Sequence, residues 1–180
     1  MSTRNFAHST AQRIGTRSLF AAVFATTTLL IASGVQAQTM QSDHWSPSQL
    51  KDRAKHLREL AASGNGSASE TLTTYPRHFT MLAFRSRSGA GELHERFADI
   101  FTIVDGHATL MTGGHLTDPK ATHPGEMAGT GVEGGSAQEL QAGDIVHIPA
   151  GMPHQMQVAP GESVTYFVVK VEETDAAGSN

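Results

Sequence analysis

From Glu70 to Val171 the chain alternates short apolar runs with turn residues, and no helical period interrupts the succession. Phe79–Phe84, Phe101–Val104, Ala108–Met111, Ile145–Ile148, Met156–Val158 and Val164–Val171 read as strands. Asp105-Gly106, between two of these runs, reads as a hairpin turn. Strands this short bury an apolar face only by packing on a second sheet, so the pattern predicts a sandwich or a barrel. Thr112 to Ser136 breaks the rhythm with seven glycines and two prolines, and reads as a long loop or an irregular hairpin.

Charge and composition narrow the function. The first 37 residues hold Arg4, Arg13 and Arg17 and no acid, which leaves an acidic body of 10 basic and 17 acidic side chains. Phosphate recognition needs a basic face, so no nucleic-acid partner is expected. The absence of cysteine excludes disulfides, thiolate metal sites and a cysteine nucleophile. No nucleophile elbow, phosphate-binding glycine loop or His-Glu-x-x-His helix is present.

The N-terminus has the layout of a secretory signal. A basic segment precedes the uncharged, mostly apolar run Leu19–Ala32, and Val35-Gln36-Ala37 presents small residues for cleavage after Ala37. The run is shorter than the roughly 20 apolar residues of a membrane span, so no stable membrane anchor is expected after cleavage. The expected location is periplasmic or secreted. Ser46-Pro47-Ser48-Gln49 then has the form of a capping box with proline at the first helical position. Leu50, Ala54, Leu57 and Ala61 follow at helical spacing, which predicts one amphipathic helix to about Ala62. Ser63–Ser69 reads as a linker. The expected organisation is a signal peptide over 1–37, helix and linker over 38–69, a β domain over 70–175 and a disordered tail over 176–180.

The chemistry gathers at two stretches. In Gly143–His154 (GDIVHIPAGMPH), proline and glycine set a chain reversal that delivers His154 beside a strand. In Glu92-Leu93-His94 the first and third side chains share a strand face, and Asp99 follows five residues later. Two imidazoles and two carboxylates suit one divalent transition metal, Mn, Fe, Ni or Zn.

These two stretches resemble the paired motifs of the cupin superfamily. Gly143, Pro149, Gly151 and His154 match the second motif, G-x5-P-x-G-x2-H, in full. Glu92, His94, Asp99 and Gly106 occupy the first, with Glu92 in place of a histidine and Asp99 in place of a glutamate. The resemblance implies an all-β fold, a single cupin-like jelly-roll β-barrel preceded by the N-terminal amphipathic α-helix. It implies a metal inside the barrel with Glu92, His94, Asp99 and His154 as the ligand set. It also implies a small-molecule substrate or ligand and, as cupin-like chains often pair, a homodimer. The reaction types it brings are dioxygenation, decarboxylation, isomerisation and lyase chemistry. Glu92 has two readings, metal ligand or catalytic general base. The rival class is a non-catalytic periplasmic barrel that binds a small molecule or a metal.

Other polar residues carry weaker expectations. Arg96 shares the parity of Glu92 and His94 and is a candidate anion contact in the cavity. His147 is expected to face away from the core, and His107 to lie on the surface. His115, His123, Asp118, Lys120 and Glu126, in the glycine-rich segment, are either a lid over the barrel mouth or solvated, and solvation is the simpler reading. Phe101, Ile103, Met152, Met156 and Phe167 are expected in the core.

Overall fold

The computed structural model describes residues 42–173. The proposed signal peptide, its cleavage site and the C-terminal tail lie outside the described residues. The elements are helix α1 (Pro47–Ser63) and strands β1 (Ser67–Thr74), β2 (His78–Arg85), β3 (Gly91–His94), β4 (Phe97–Thr112), β5 (His115–Thr117), β6 (Lys120–His123), β7 (Glu126–Gly129), β8 (Gly131–Glu133), β9 (Ser136–Gln141), β10 (Ile145–Ile148), β11 (His154–Gln157) and β12 (Val164–Glu172).

The helix starts where its capping box is written. Ser46 Oγ accepts from the Gln49 N–H at 3.3 Å, and Gln49 Oε1 accepts from the Ser46 N–H at 2.9 Å. Leu50, Ala54, Leu57 and Ala61 form its buried stripe. The stripe packs on Leu82 and Phe84 of β2, with Trp45, Leu72, Val104 and Phe167 around it. The segment expected as a linker is shorter than its composition implies. A tight turn at Gly64–Gly66, closed by the Gly66 N–H on the Ala61 carbonyl at 3.1 Å, leads straight into β1 at Ser67.

All strand pairings are antiparallel, and they make two layers joined by β4. Residues 97–106 of β4 pair with β12, and residues 99–102 also pair with β10; β2 and β1 continue that layer beyond β12. The last residues of β4 pair with β9 on one side and β11 on the other, and β3, β7 and β6 continue the second layer. This is the expected cupin-like jelly-roll barrel, all β apart from one helix among the described residues.

One expected turn is absent. Asp105-Gly106 lies inside the 16-residue strand β4, where the register slips against β12. Gly106 has φ +83°, and a Cβ there would stand 1.9 Å from the Ser163 carbonyl oxygen. An extra residue in one strand bends it and inverts its facing pattern. Asp99, Phe101 and Ile103 thus face inward before the bulge, and Ala108 and Leu110 after it. A turn and a bulge call for the same residue types, and only the partner strand β12, distant in sequence, selects the bulge.

The glycine-rich segment takes the hairpin form. β6 and β7 join the second layer, and β5 and β8 make a separate two-stranded ribbon. The core between the layers contains Phe101, Ile103, Leu110, Met156, Tyr166 and Val168, with Met152 at its edge. Phe167 is on the other face, against the helix. β2 is covered on both faces, which explains its unbroken apolar run.

Two substitutions test this account by urea denaturation. Gly106→Ala is expected to lower stability by more than about 3 kcal/mol, since both φ and the approach to Ser163 exclude a side chain. Ser46→Ala removes only the helix cap and should lower it by about 1 kcal/mol.

Candidate metal centre

The turn that carries His154 is tied to the strand that carries His94. Gly151, at φ +78°, donates its N–H to the His94 carbonyl at 2.7 Å. His154 then enters β11 directly opposite Glu92 of β3. Residues from two distant stretches are thus fixed by backbone bonds before any side chain is considered. Glu92, His94 and His154 each offer a ligand atom, and these atoms all lie within 4.8 Å of one another. Glu92 Oε2 is 3.9 Å from the Nε2 of each histidine.

The two imidazoles are oriented as metal ligands are. His94 Nδ1 bonds the Glu126 carboxylate, and His154 Nδ1 bonds the Met152 carbonyl at 3.1 Å. Each of these acceptors takes an N–H, so each Nδ1 carries the proton and each Nε2 presents a lone pair. Both Nε2 atoms are buried and have no hydrogen-bond partner among the described residues. Burial lowers the pKa of His154, the direction that favours the neutral, ligating form. Ligand atoms around one first-row ion stand roughly 3 to 4 Å apart, so this donor set fits such an ion.

Asp99 approaches the same point from the other layer. Its Oδ2 is 3.5 Å from His94 Nε2 and 3.6 Å from His154 Nε2. Both its oxygens, however, accept from Lys170 Nζ, at 2.7 and 2.8 Å. A cavity of about 350 Å³ opens above these groups, with Arg85, Tyr166, Met81 and Val168 on its walls. Arg85 donates its Nε–H to the Tyr166 hydroxyl at 2.9 Å, and its Nη2 is 3.6 Å from Glu92 Oε1. Burial raises the pKa of Tyr166, so it stays a neutral phenol. Gly89 leaves room for the guanidinium, because a Cβ there would stand 2.6 Å from Arg85 Nη1.

The structure corrects the expectation for Arg96. It is exposed and turns away from the cavity to Glu172, at 3.7 Å. The strand ends at His94 and the chain turns, so parity with Glu92 does not carry to residue 96. His147, His107, His115 and His123 are exposed. Glu126, expected among the solvated residues of the glycine-rich segment, stands opposite His94 on β7. That pairing has no local signal. Arg85, Tyr166 and Lys170 did have one: each shares strand parity with inward residues, Arg85 with Met81 and Ala83, and Tyr166 and Lys170 with Val168.

Known proteins resemble this chain in part. The family described as AraC-like ligand binding domain matches residues 128–179, less than half of the chain. The matched part contains His154 and Lys170 but neither Glu92 nor His94, and it supports the cupin superfamily. No curated protein sequence matches. Among solved structures, the DMSP lyase DddQ from Ruegeria pomeroyi is 16% identical, with 63% of this chain and 49% of that chain covered and a TM-score of 0.44. This chain thus spans about half the length of that lyase. The polyketide cyclase RemF from Streptomyces resistomycificus is 19% identical, with 59% and 65% covered and a TM-score of 0.43. A cupin-2 domain from Rhodospirillum rubrum is 15% identical, with 61% and 62% covered and a TM-score of 0.45. At these identities nothing about activity passes from those proteins to this one.

Glu126 offers a direct check on the tautomer argument. Glu126→Gln is expected to weaken zinc binding by about 10- to 100-fold while the fold is retained, because His94 loses the carboxylate that orients it. A competition titration against a chromophoric chelator measures the change.

Proposed function

We propose that this chain is an exported cupin-type protein that binds one divalent transition metal and acts on a small molecule in the cavity above it. One observation carries the reading. Two buried imidazole Nε2 atoms lack partners among the described residues and converge with the Glu92 carboxylate, and Glu92 and His94 line the cavity. A buried acceptor left unpaired costs stability, so two of them aimed at one point argue for a bound cation. Glu92, His94 and His154 would hold the ion, and the bound metal would supply Lewis acidity toward a substrate oxygen.

The surrounding residues have separate tasks. Glu126 and the Met152 carbonyl hold the imidazoles in the ligating tautomer. Arg85, braced by Tyr166 and Gly89, faces Glu92 and would hold an anionic oxygen of the substrate. Met81, Phe101 and Val168 line the cavity with apolar surface and limit water. Glu92 is half-buried, the most accessible of the three candidate ligands, and is the residue able to accept a proton if it leaves the metal.

The match to a ligand-binding domain family favours a second reading. In it the same cavity captures a small molecule without turning it over.

Metal analysis of the mature protein, purified from its native compartment, tests the proposal. Near-stoichiometric transition metal is expected, and less than about a tenth of an equivalent would count against it. His94→Ala and His154→Ala should each abolish binding; metal retained in both would sink the ligand set. Glu92→Gln separates the two roles of that residue: loss of metal marks a ligand, whereas metal retained with turnover lost marks a base. Recovery of the protein in the periplasmic fraction, starting at Gln38, is the matching test of export.

A further inference from the structure

Lys170 and Asp99 face each other across β12 and β4 as direct register partners. The ammonium spans both carboxylate oxygens, at 2.7 and 2.8 Å. Asp99 is 2% exposed, and the Lys170 side chain is 15% exposed. A carboxylate buried this far needs a counter-charge. The chain supplies that charge itself, at the point where the first cupin motif has a ligand. Asp99 Oδ2 also stands within 3.6 Å of both orphaned imidazole nitrogens. One carboxylate is therefore within reach of two cations, the lysine and the ion expected between the histidines.

Resting on the metal-binding reading above, we propose that Lys170 is an internal cation that withholds Asp99 from the metal. Glu92, His94 and His154 then hold the ion alone, and Lys170 sets how tightly they do so. Two physical arguments support this. Transfer of Asp99 to the metal would separate a largely buried ammonium from the carboxylate that spans it, with Met81, Val168 and Phe101 on the walls of the same cavity. The fixed positive charge of Lys170 also repels a divalent ion and weakens its binding. In exchange, the loaded centre keeps its ligation sparse and its net charge positive. Both properties favour an anionic substrate oxygen beside Arg85. Lys170 is thus a positioning residue, acting through Asp99.

The test uses zinc as the probe and the mature full chain. Lys170→Met frees Asp99, and zinc is expected to bind at least about tenfold tighter than to the unmodified protein. The zinc-induced rise in Tm should grow in parallel, because apo Lys170→Met carries an uncompensated buried carboxylate. This readout holds even if the variant folds only with zinc. The double variant Asp99→Asn/Lys170→Met removes both charges, and its zinc affinity should stay within about threefold of the unmodified protein. Equal or weaker binding by Lys170→Met would overturn the proposal. So would a loss beyond about tenfold in the double variant, which would make Asp99 a native ligand. If the unmodified protein binds no zinc but Lys170→Met does, the metal-binding reading fails and the role of Lys170 stands. If neither binds, both fail.

Discussion

The constraint on which the site depends is the course of β4. This strand begins in the layer that packs against the helix and ends in the opposite one, and it pairs with four strands on the way. Its bend requires a backbone with positive φ and no side chain, conditions that Gly106 meets against the Ser163 carbonyl. Through that bend one strand carries Asp99 and Phe101 on the first layer and offers β11 an edge on the second. His154 and Glu92 are then placed opposite each other by the β11–β3 pairing, and the Gly151–His94 bond locks the turn to the same strand. The centre is a meeting of two layers, and it exists only because they are joined at this angle.

Within that frame the electrostatics are nearly self-satisfied. Glu126 takes the His94 N–H, the Met152 carbonyl takes that of His154, Lys170 neutralises Asp99, and Tyr166 braces Arg85. What remains is the pair of Nε2 atoms and Glu92 Oε2, the other Glu92 oxygen facing Arg85 at 3.6 Å. A site in which every nearby group has a partner except those facing one point has a defined gap in its bonding. Buried polar networks of this kind are costly when incomplete.

How much of this was legible in the sequence follows from the range of each interaction. The helix and its cap were readable because Ser46, Gln49 and the apolar stripe are local. The second motif was readable because its turn chemistry lies within a dozen residues. Asp105-Gly106 was misread because a hairpin turn and a bulge share their residue preferences, and the choice rests on β12. Glu126 was passed over because its pairing with His94 spans 32 residues of a segment rich in glycine. Arg96 was misplaced by extending strand parity past the end of β3. Lys170 shares its parity with the inward Val168, but that signal is weak in Val164–Val171, where one face meets the helix and the other the core.

The two departures from the first motif take on meaning together. Glu92 has a longer side chain than aspartate and sits opposite His154, so its carboxylate reaches the point where the histidines converge. Asp99 is one methylene shorter than glutamate, and Lys170 of β12 meets its carboxylate in register while its Oδ2 stands 3.5 and 3.6 Å from the two imidazole nitrogens. The shorter acid and the opposing cation therefore form a single substitution in physical terms. They move one negative charge out of the ligand set and into an ion pair, while Glu92 brings one in. Two carboxylates thus stand near the centre where the motif has one, and the one free of the lysine comes from the half-exposed side of the cavity. A substrate entering from that side would meet the proton-accepting group first.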